Sequence, residues 1–469
     1  MERNPALSAD VLLVVASFAS RGTLSAMMKT CRLLYHEGAK ILVRRRVEID
    51  DIQDLSSFLA FLHAENGSRC GFLRELVLDI DLPRPTTPNL MSPALSNLLA
   101  DHSFRSLTSL RLGSAERMLR SHPQLAGGFA SLKALTSLDI GPVGLKTLAV
   151  LAALESELRV LVLKYAPGLD QRPSAAECCH PVVVLQRFRN SLETLDVQGY
   201  EAELDRARFP EPYPRMQELI LDSPDCPLLA PYIHAFPDMR NLSITTVFAD
   251  NLTLDNLDAE EDLIEAFRRA NRGDQAIYGS WTKLETVNGT APDLYVAGLR
   301  CAIKDLYLNV CMWDPFKMVL GTLQDASVSR LHLFVHAVEA LGNDGLPMVF
   351  RRLVDSSLEA LFLHIRLCAE EEWDEDLRTV VNPTALERLL QSLGSLPIQK
   401  FHLVLRCEHS GYAAGPHSPT KKVCGGQGIQ DFDCEAFARR VLATVPAVHD
   451  VDVRFNCSRK QHAKLRRAV

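Results

Sequence analysis

Residues 107–140, LTSLRLGSAERMLRSHPQLAGGFASLKALTSLDI, contain the pattern LxxLxL twice, once at each end of a segment long enough to hold a helix. The pattern recurs along most of the chain when other large apolar residues are allowed. Its copies lie at residues 73–78, 107–112, 135–140, 158–163, 192–197, 216–221, 239–244, 303–308, 328–333, 358–363, 398–403 and 448–453. Leu284 and Val287 form a degenerate copy, and Val47 and Ile49 fit an opening strand. This recurrence predicts an array of structural repeats.

Each copy predicts a short β-strand that is followed by a helix. In LxL the two apolar side chains point to one face of the strand, and the residue between them points to the other face. Some intervening segments contain a capping residue before proline, which suits a helix start: Ser92-Pro93, Asp314-Pro315 and Asn382-Pro383. Such units bury their apolar face only by stacking on one another.

The shortest spacings between copies, 23 and 24 residues, are within the range of leucine-rich repeats. We therefore expect an α/β protein in which residues 45–469 form an irregular leucine-rich-repeat solenoid, an uneven horseshoe. A doubly wound α/β domain is the alternative, since its strands also alternate with helices. The short alternating strands and the lack of a glycine-rich phosphate loop after any of them argue against it.

The N-terminal stretch, residues 7–42, predicts three short helices with too much apolar surface for their size. Ser8 can cap the first helix, which reads DVLLVVASF over residues 10–18 and is apolar on nearly every face. A second short helix carries Leu24 and Met28, and a third starts near Cys31. Three helices in about forty residues cannot hide all of this surface, so they need the rest of the chain or another protein.

This stretch resembles an F-box, and most closely the F-box proteins of mushroom-forming fungi. The matching residues are Leu7, Asp10, Val11, Leu12, Val15, Phe18, Leu24, Cys31, Arg32 and Tyr35. Ser8 stands where the family usually has proline, and Ala19 where it often has leucine. An ordinary buried helical hairpin is the alternative.

The resemblance implies that residues 1–44 bind a Skp-type adaptor, which links the chain to the cullin scaffold of an SCF-type ubiquitin ligase. The residues expected at the adaptor are Leu7, Ser8, Val11, Leu12, Val15, Phe18, Leu24, Met28, Cys31 and Leu34. The rest of the chain would hold a protein target for ubiquitin transfer. Two rivals stay open: a leucine-rich scaffold without a ligase, whose N-terminal helices are only a cap, and a hydrolase.

Composition favours a cytoplasmic or nuclear protein. The net charge of −7 argues against general nucleic-acid binding, and no apolar run approaches the length of a membrane span. The N-terminus carries Asp10 and does not predict a signal peptide. The 12 cysteines include no CxxC pair, so we expect reduced thiols.

Motifs for chemistry are missing, so we expect no enzyme activity, no cofactor and no metal. Cys178, Cys179 and His180 are consecutive, which suits no tetrahedral zinc site. Region 402–434 holds further histidines and cysteines, and zinc there is the alternative. The glycine-rich residues 425–428 lack the lysine of a phosphate loop, and no GxSxG elbow occurs.

Four insertions interrupt the period, at residues 81–93, 167–182, 250–282 and 408–430. We expect the helix within 250–282 to lie outside the array. Residues 369–376 form an acidic patch, and the basic C-terminal stretch from Ser458 predicts a frayed tail.

The residues between the leucines of each strand should form the binding surface. In the C-terminal half they include aromatic rings and imidazoles, which are typical of interface hot spots. The expected target-binding residues are Tyr307, His332, Phe334, Phe362, His364 and His402. Their histidines should make binding change between about pH 5 and 8. The alternative is that an insertion loop covers them.

Overall fold

The structure is a computed structural model of the chain. It describes residues 8–80, 91–100, 104–165, 180–200, 209, 211–223, 227–246, 257–311, 315–342, 345–353, 356–368, 383–408, 432–456 and 460–467. The chain divides into two compact units, unit 1 over Met1–Met216 and unit 2 over Gln217–Val469. Both units are mixed α/β structures in which strands alternate with helices.

Unit 1 contains a parallel sheet whose strands follow one another in chain order. Its strands are Val47–Ile49 (β1), Glu75–Leu78 (β2), Ser109–Leu112 (β3), Ser137–Ile140 (β4), Val160–Lys164 (β5) and Thr194–Gln198 (β6). Its helices are Ala9–Phe18 (α1), Arg21–Met28 (α2), Arg32–Arg44 (α3), Ile52–His63 (α4), Met91–Ala100 (α5), Ala115–Ser121 (α6), Leu125–Ala130 (α7), Leu145–Ala153 (α8) and Pro181–Val184 (α9). Short 3-10 turns occur at Ala64–Gly67, Cys70–Phe72 and Leu185–Phe188.

Unit 2 has the same alternation. Its strands are Glu218–Ser223 (β7), Asn241–Thr246 (β8), Lys283–Thr290 (β9), Ala302–Asn309 (β10), Ser327–His336 (β11), Ala360–Cys368 (β12), Lys400–Glu408 (β13), Asp450–Asn456 (β14) and Lys460–Arg466 (β15). Its helices are Ala230–Ala235 (α10), Leu257–Tyr278 (α11), Ala291–Ala297 (α12), Phe316–Asp325 (α13), Ala337–Leu341 (α14), Leu346–Arg351 (α15), Pro383–Leu393 (α16) and Cys434–Thr444 (α17).

The leucines of the repeated pattern pair with one another across neighbouring strands. In unit 1, Leu110 of β3 lies in register with Leu138 of β4, which lies in register with Leu161 of β5. All three are buried, and each buried leucine contributes about 1.5–3 kcal/mol to folding. The strands predicted from every copy are confirmed, including the degenerate copy (β9) and the opening strand (β1). Because the strand order within each unit follows the chain without reversal, neither unit is doubly wound.

The residues between those leucines lie on a face of the sheet that the helices do not cover. Along β3 and β4 buried residues alternate with half-buried ones, and the same alternation holds along most of β10 to β13, with the buried Val404 of β13 as an exception. We call this second surface the open face. The helices pack beside one another on the other side, as α5 does with α7 and α7 with α8.

The helix within residues 250–282 was expected to lie outside the array, and this expectation is wrong. α11 packs against α12 and α10 of unit 2. Its Asn271 side chain donates to the Val296 carbonyl at 3.1 Å, and its Gln275 side chain donates to the Ala297 carbonyl at 3.0 Å. These side chains satisfy the last carbonyls of α12, which have no partner within their own helix.

The C-terminal stretch was expected to be a frayed tail, and this too is wrong. β15 pairs antiparallel with β14 over the full length of both strands, from Asp450 opposite Arg466 to Asn456 opposite Lys460. Lysines on a last strand discourage further strand pairing.

The other predicted insertions are only partly described. Residues 81–90, 369–382 and 409–431 lie outside the described residues, as do 166–179. α5 already begins at Met91, and α9 begins at Pro181, so the first two insertions are shorter than predicted. α16 begins at the expected Pro383, whereas Pro315 precedes the first residue of α13 as its N-cap. Among the described residues, no helix is both long enough and apolar enough to cross a membrane.

Candidate binding surfaces

Helix α1 is apolar on two opposite faces. Its inner face carries Ala16, which is fully buried with Leu24 of α2 and Leu34 of α3, while Leu12 and Leu13 pack partly buried against that cluster. The Ser8 side chain caps the helix by accepting from the Val11 amide at 3.4 Å, as the sequence predicts. The three N-terminal helices therefore have a small core of their own.

The outer face of α1 is exposed to solvent. Val11 is 44% exposed, Val14 57%, Val15 50% and Phe18 86%. Their spacing of i, i+3, i+4 and i+7 places them on one side of the helix. We call this set the α1 stripe. A large apolar stripe of this kind is typical of a surface that another protein covers.

The structure divides the predicted adaptor-binding residues into three groups. Those that reach solvent are Ser8, Val11, Val15, Phe18 and Cys31, and Leu12 is half-buried. The expectation is wrong for Leu24, Met28 and Leu34, which are buried in the core and are not available to a partner. Leu7 lies outside the described residues. Val14 was missed, although its spacing from Val11 and Phe18 could have identified it.

Helix α3 is fixed to the segment that follows α4. The guanidinium of Arg69, a buried side chain, lies 5.0 Å from the ring centre of Tyr35 and 4.3 Å from that of Phe61. Arg69 also donates to the Phe61 carbonyl at 3.2 Å, and His36 of α3 lies 2.9 Å from the Glu65 carboxylate. The N-terminal helices are thus held against the start of the strand–helix array within unit 1.

On the open face of unit 2, rings from neighbouring strands stack on one another. Tyr307 of β10 pairs in register with His332 of β11, and His332 with Phe362 of β12. The ring centres of both pairs are 4.2 Å apart, with interplanar angles of 11° and 4°. His402 of β13 continues the row, its ring centre 5.8 Å from that of Phe362.

A second, shorter row lies beside the first. Phe334 of β11 stacks on His364 of β12 with ring centres 4.5 Å apart. His364 lies 6.0 Å from His402, which joins the two rows. The structure therefore brings all six predicted target-binding residues together, and each is half-buried. We call these six residues the ring ladder.

Two carboxylates lie beside the ring ladder on the same face of the sheet. Asp305 of β10 forms an ion pair with Arg330, and its carboxylate lies 3.7 Å from His332 Nε2. Asp452 of β14 accepts from Arg454 at 2.9 Å and lies 3.5 Å from His402. It also lies 3.0 Å from His462 of β15. The repeat pattern does not identify Asp305, and it does not identify His462 because the pattern predicts no strand at β15.

Burial is the main cause of the low basicity of the ladder histidines. Burial, followed by the positive charges of His402, His332, Arg366 and Arg454, lowers the pKa of His364 to about 4. Burial also lowers the pKa of His332 and of His402, against the opposing pull of Asp305 and Asp452 respectively. His364 therefore stays neutral from pH 5 to 8, and the expectation that it changes charge in that range is wrong.

The open face of unit 1 is different in kind. There Asp139 of β4 lies 3.3 Å from Arg111 of β3 and 2.8 Å from Lys164 of β5. Among the described outward residues of β3 to β5, the charged side chains pair with one another, and no aromatic side chain occurs there.

Within the described residues, no group of three or more histidine, cysteine, aspartate or glutamate side chains is arranged to hold a metal ion. Most of region 402–434, where zinc was the alternative, lies outside those residues. His180 is described and is buried, which lowers its pKa to about 3, and its ring nitrogen accepts from the Val182 amide. It therefore has a structural role at the start of α9.

No protein-family model matches the chain, and a search of the curated proteins finds no match to it.

Proposed function

We propose that the chain is the substrate-recognition subunit of an SCF-type cullin–RING ubiquitin ligase. In this proposal the N-terminal helices are an F-box that binds a Skp-type adaptor, and the strand–helix units are irregular leucine-rich repeats that hold a target protein. The chain itself catalyses nothing; it raises the effective concentration of the target beside the conjugating enzyme. The compartment would be the cytoplasm, the nucleus or both.

The observation that carries the proposal is the α1 stripe. A helix whose inner face already forms a core gains nothing in folding from four further apolar side chains in water. Covering Phe18, which is 86% exposed, would contribute about 1.5–3 kcal/mol to an interface. The repeat period and the alternation of buried and half-buried residues in the strands support the leucine-rich-repeat assignment.

The experiment is co-purification of the full chain with a Skp-type adaptor. Val15→Asp combined with Phe18→Asp should weaken adaptor binding at least about tenfold, because an interface would bury two charges in place of two apolar groups. Leu145→Asp is the matched control, since Leu145 is a 54% exposed leucine on α8 of the same unit. Equal recovery of adaptor with all variants would refute the proposal. Leu12 is a poorer position, because it also packs in the core.

The rival function is a leucine-rich scaffold with no ligase role. The observation in its favour is that Leu24, Met28 and Leu34 are buried and that Tyr35 lies over Arg69, as expected of a cap on the array. A scaffold would keep its target when the α1 stripe is charged and would never recover adaptor. Deleting residues 1–44 would then expose the array and cause aggregation, whereas a separable F-box could be removed without that effect.

A further inference from the structure

The ring ladder presents ring edges to solvent. Tyr307, His332 and Phe362 stack in the direction that runs from strand to strand, so each ring covers the faces of its neighbours. Little of each ring stays exposed to solvent: the side chains of His332 and His402 are 16% and 18% exposed. The edge of an aromatic ring carries positive partial charge, and its face carries the negative part. The ladder therefore offers apolar contact with a weakly positive rim.

The negative and positive side chains around the ladder differ in how exposed they are to solvent. The carboxylates are the less exposed partners, with Asp305 15% and Asp452 11% exposed. The cations paired with them are more exposed, Arg330 at 40% and Arg454 at 47%. His462 of β15 is 53% exposed. A partner that approaches this face meets positive groups first, although the chain as a whole has a net charge of −7.

Further cations extend the same surface. Lys400 of β13 and Lys464 of β15 are exposed, and Lys464 lies in register with Asp452. Lys400 lies in register with Asp450, which is 23% exposed and lies 3.5 Å from the 70% exposed Arg466. The positive charge of Lys464 and Arg454 reaches the ladder itself, since both lower the pKa of His402 after the larger effect of burial. Cations that are not offset by equally exposed carboxylates favour a partner of opposite charge.

We propose that the open face of β10–β15 docks an acidic segment of the target protein. Carboxylate side chains of the segment pair with Lys400, Lys464 and Arg454, and its apolar side chains lie against the ring edges. This proposal rests on the proposed function as a target receptor and names the chemical class of the target. A nucleic acid fits less well, because bases need open ring faces for stacking and the ladder faces cover one another.

The first experiment uses the purified full chain and fluorescence anisotropy. The probes are a fluorescein-labelled peptide of alternating glutamate and leucine, the same peptide with lysine in place of glutamate, and a single-stranded DNA oligonucleotide. We expect binding of the acidic peptide only, weakening as salt is raised because exposed charge pairs are screened. Binding of the basic peptide as tightly as the acidic one, or tighter binding of the oligonucleotide, would overturn the proposal.

The second experiment removes the cations. Lys400→Gln with Lys464→Gln should weaken binding of the acidic peptide about two- to thirtyfold, the range for two exposed charge pairs. Arg454→Gln tests the cation that pairs with Asp452 separately. The matched control is Lys317→Gln with Arg439→Gln, because both of these cations lie on helices and pair with Glu261 and Glu435.

Unchanged peptide affinity in the lysine pair, with unchanged melting, would also overturn the proposal. Recovery of the Skp-type adaptor is measured on the same variants and should not change. Peptide binding without adaptor binding would leave the docking surface standing while the ligase function fails. Adaptor binding without peptide binding would refute the docking surface and leave the proposed ligase function standing.

Discussion

Helix α8 begins without a capping side chain of its own, and Glu116 of α6 supplies the missing acceptor. The N-cap residue is Gly144, which has no side chain to accept a hydrogen bond. One carboxylate oxygen of Glu116 accepts from the Thr147 amide at 2.9 Å and from the Thr147 hydroxyl at 2.7 Å. The other oxygen accepts from the Lys146 amide at 3.3 Å and from the Arg120 guanidinium at 2.9 Å. A Cβ at Gly144 would lie 2.4 Å from Glu116 Cδ, so the glycine makes room for this carboxylate.

Replacing Glu116 should destabilise the start of α8. Glu116→Ala removes the acceptor of two helical amides and leaves the Thr147 hydroxyl without this partner. The lost cap is worth about 0.5–2 kcal/mol and the buried hydroxyl about 1–3 kcal/mol, so we expect about 1.5–5 kcal/mol in all. Glu116→Gln keeps the shape and removes the charge, which should cost about 1–2 kcal/mol through weaker hydrogen bonds and the lost interaction with the helix N-terminus.

The effect should depend on pH with a defined sign. Burial alone would raise the pKa of the Glu116 carboxyl, but the hydrogen bonds from Thr147, Lys146 and Arg120 outweigh burial and lower it. In the unfolded chain the carboxyl has its ordinary pKa of about 4.3. The stabilisation is therefore complete above about pH 4.3 and is lost as the pH falls through the lower pKa of the folded state. Glu116→Gln should differ most from the natural protein near pH 7.

Amide hydrogen exchange read by mass spectrometry measures the effect locally, over peptides that cover α8. A loss of about 1.4 kcal/mol corresponds to tenfold faster exchange where local opening controls it. Glu48→Gln is the control, because Glu48 is 52% exposed and pairs with Arg46 on the surface. Equal exchange in α8 for the two variants at pH 7 would refute the assignment of Glu116 as the cap. So would a difference that persists unchanged below the folded-state pKa.

Two further predictions concern unit 2. Asn271→Ala should destabilise the packing of α11 by about 2–4 kcal/mol, because the Asn271 amide donates to the Val296 and Pro227 carbonyls and accepts from the Leu229 amide; thermal melting checks this against Arg269→Ala, an exposed residue of the same helix, which should have little effect. Phe334→Ala with Phe362→Ala should abolish target binding, whereas Arg111→Ala with Asp139→Ala should not, and loss from the second pair alone would place the site in unit 1.

The strands could be predicted because the physics of LxL is local. Alternation places every second side chain on one face, and that face must be buried, so apolar residues mark each strand. The degenerate copy shows the limit of the pattern. In β9 the position of the third leucine is Gly289, where a Cβ would lie 2.9 Å from the Leu294 side chain of α12 and from the Ile244 carbonyl. The Leu294 side chain of α12 fills the space that a side chain at position 289 would occupy, and only the three-dimensional structure shows this.

The packing of α11 could not be predicted because its buried face is polar. Arg268, Asn271, Asp274 and Gln275 follow a helical spacing and are all at most 7% exposed. Sequence patterns assign polar side chains to solvent unless a partner is known. Here the partners are carbonyls at the end of α12, tens of residues away. β15 escaped prediction for a related reason, since its only buried residue is Ala463.

The two candidate surfaces differ in how far sequence could define them. The ring ladder lies on strands, where the period of two assigns each residue to a face, so all six residues were found together. α1 is apolar at nearly every position, and periodicity cannot divide such a helix into a core side and an exposed side. That division came from the packing of Ala16 against Leu24 and Leu34, which left Val14 and Phe18 outward. The difference in exposure between the carboxylates and the cations of the open face could not be predicted at all. It depends on how far each charged side chain is buried in the folded chain, and neither periodicity nor composition contains that information.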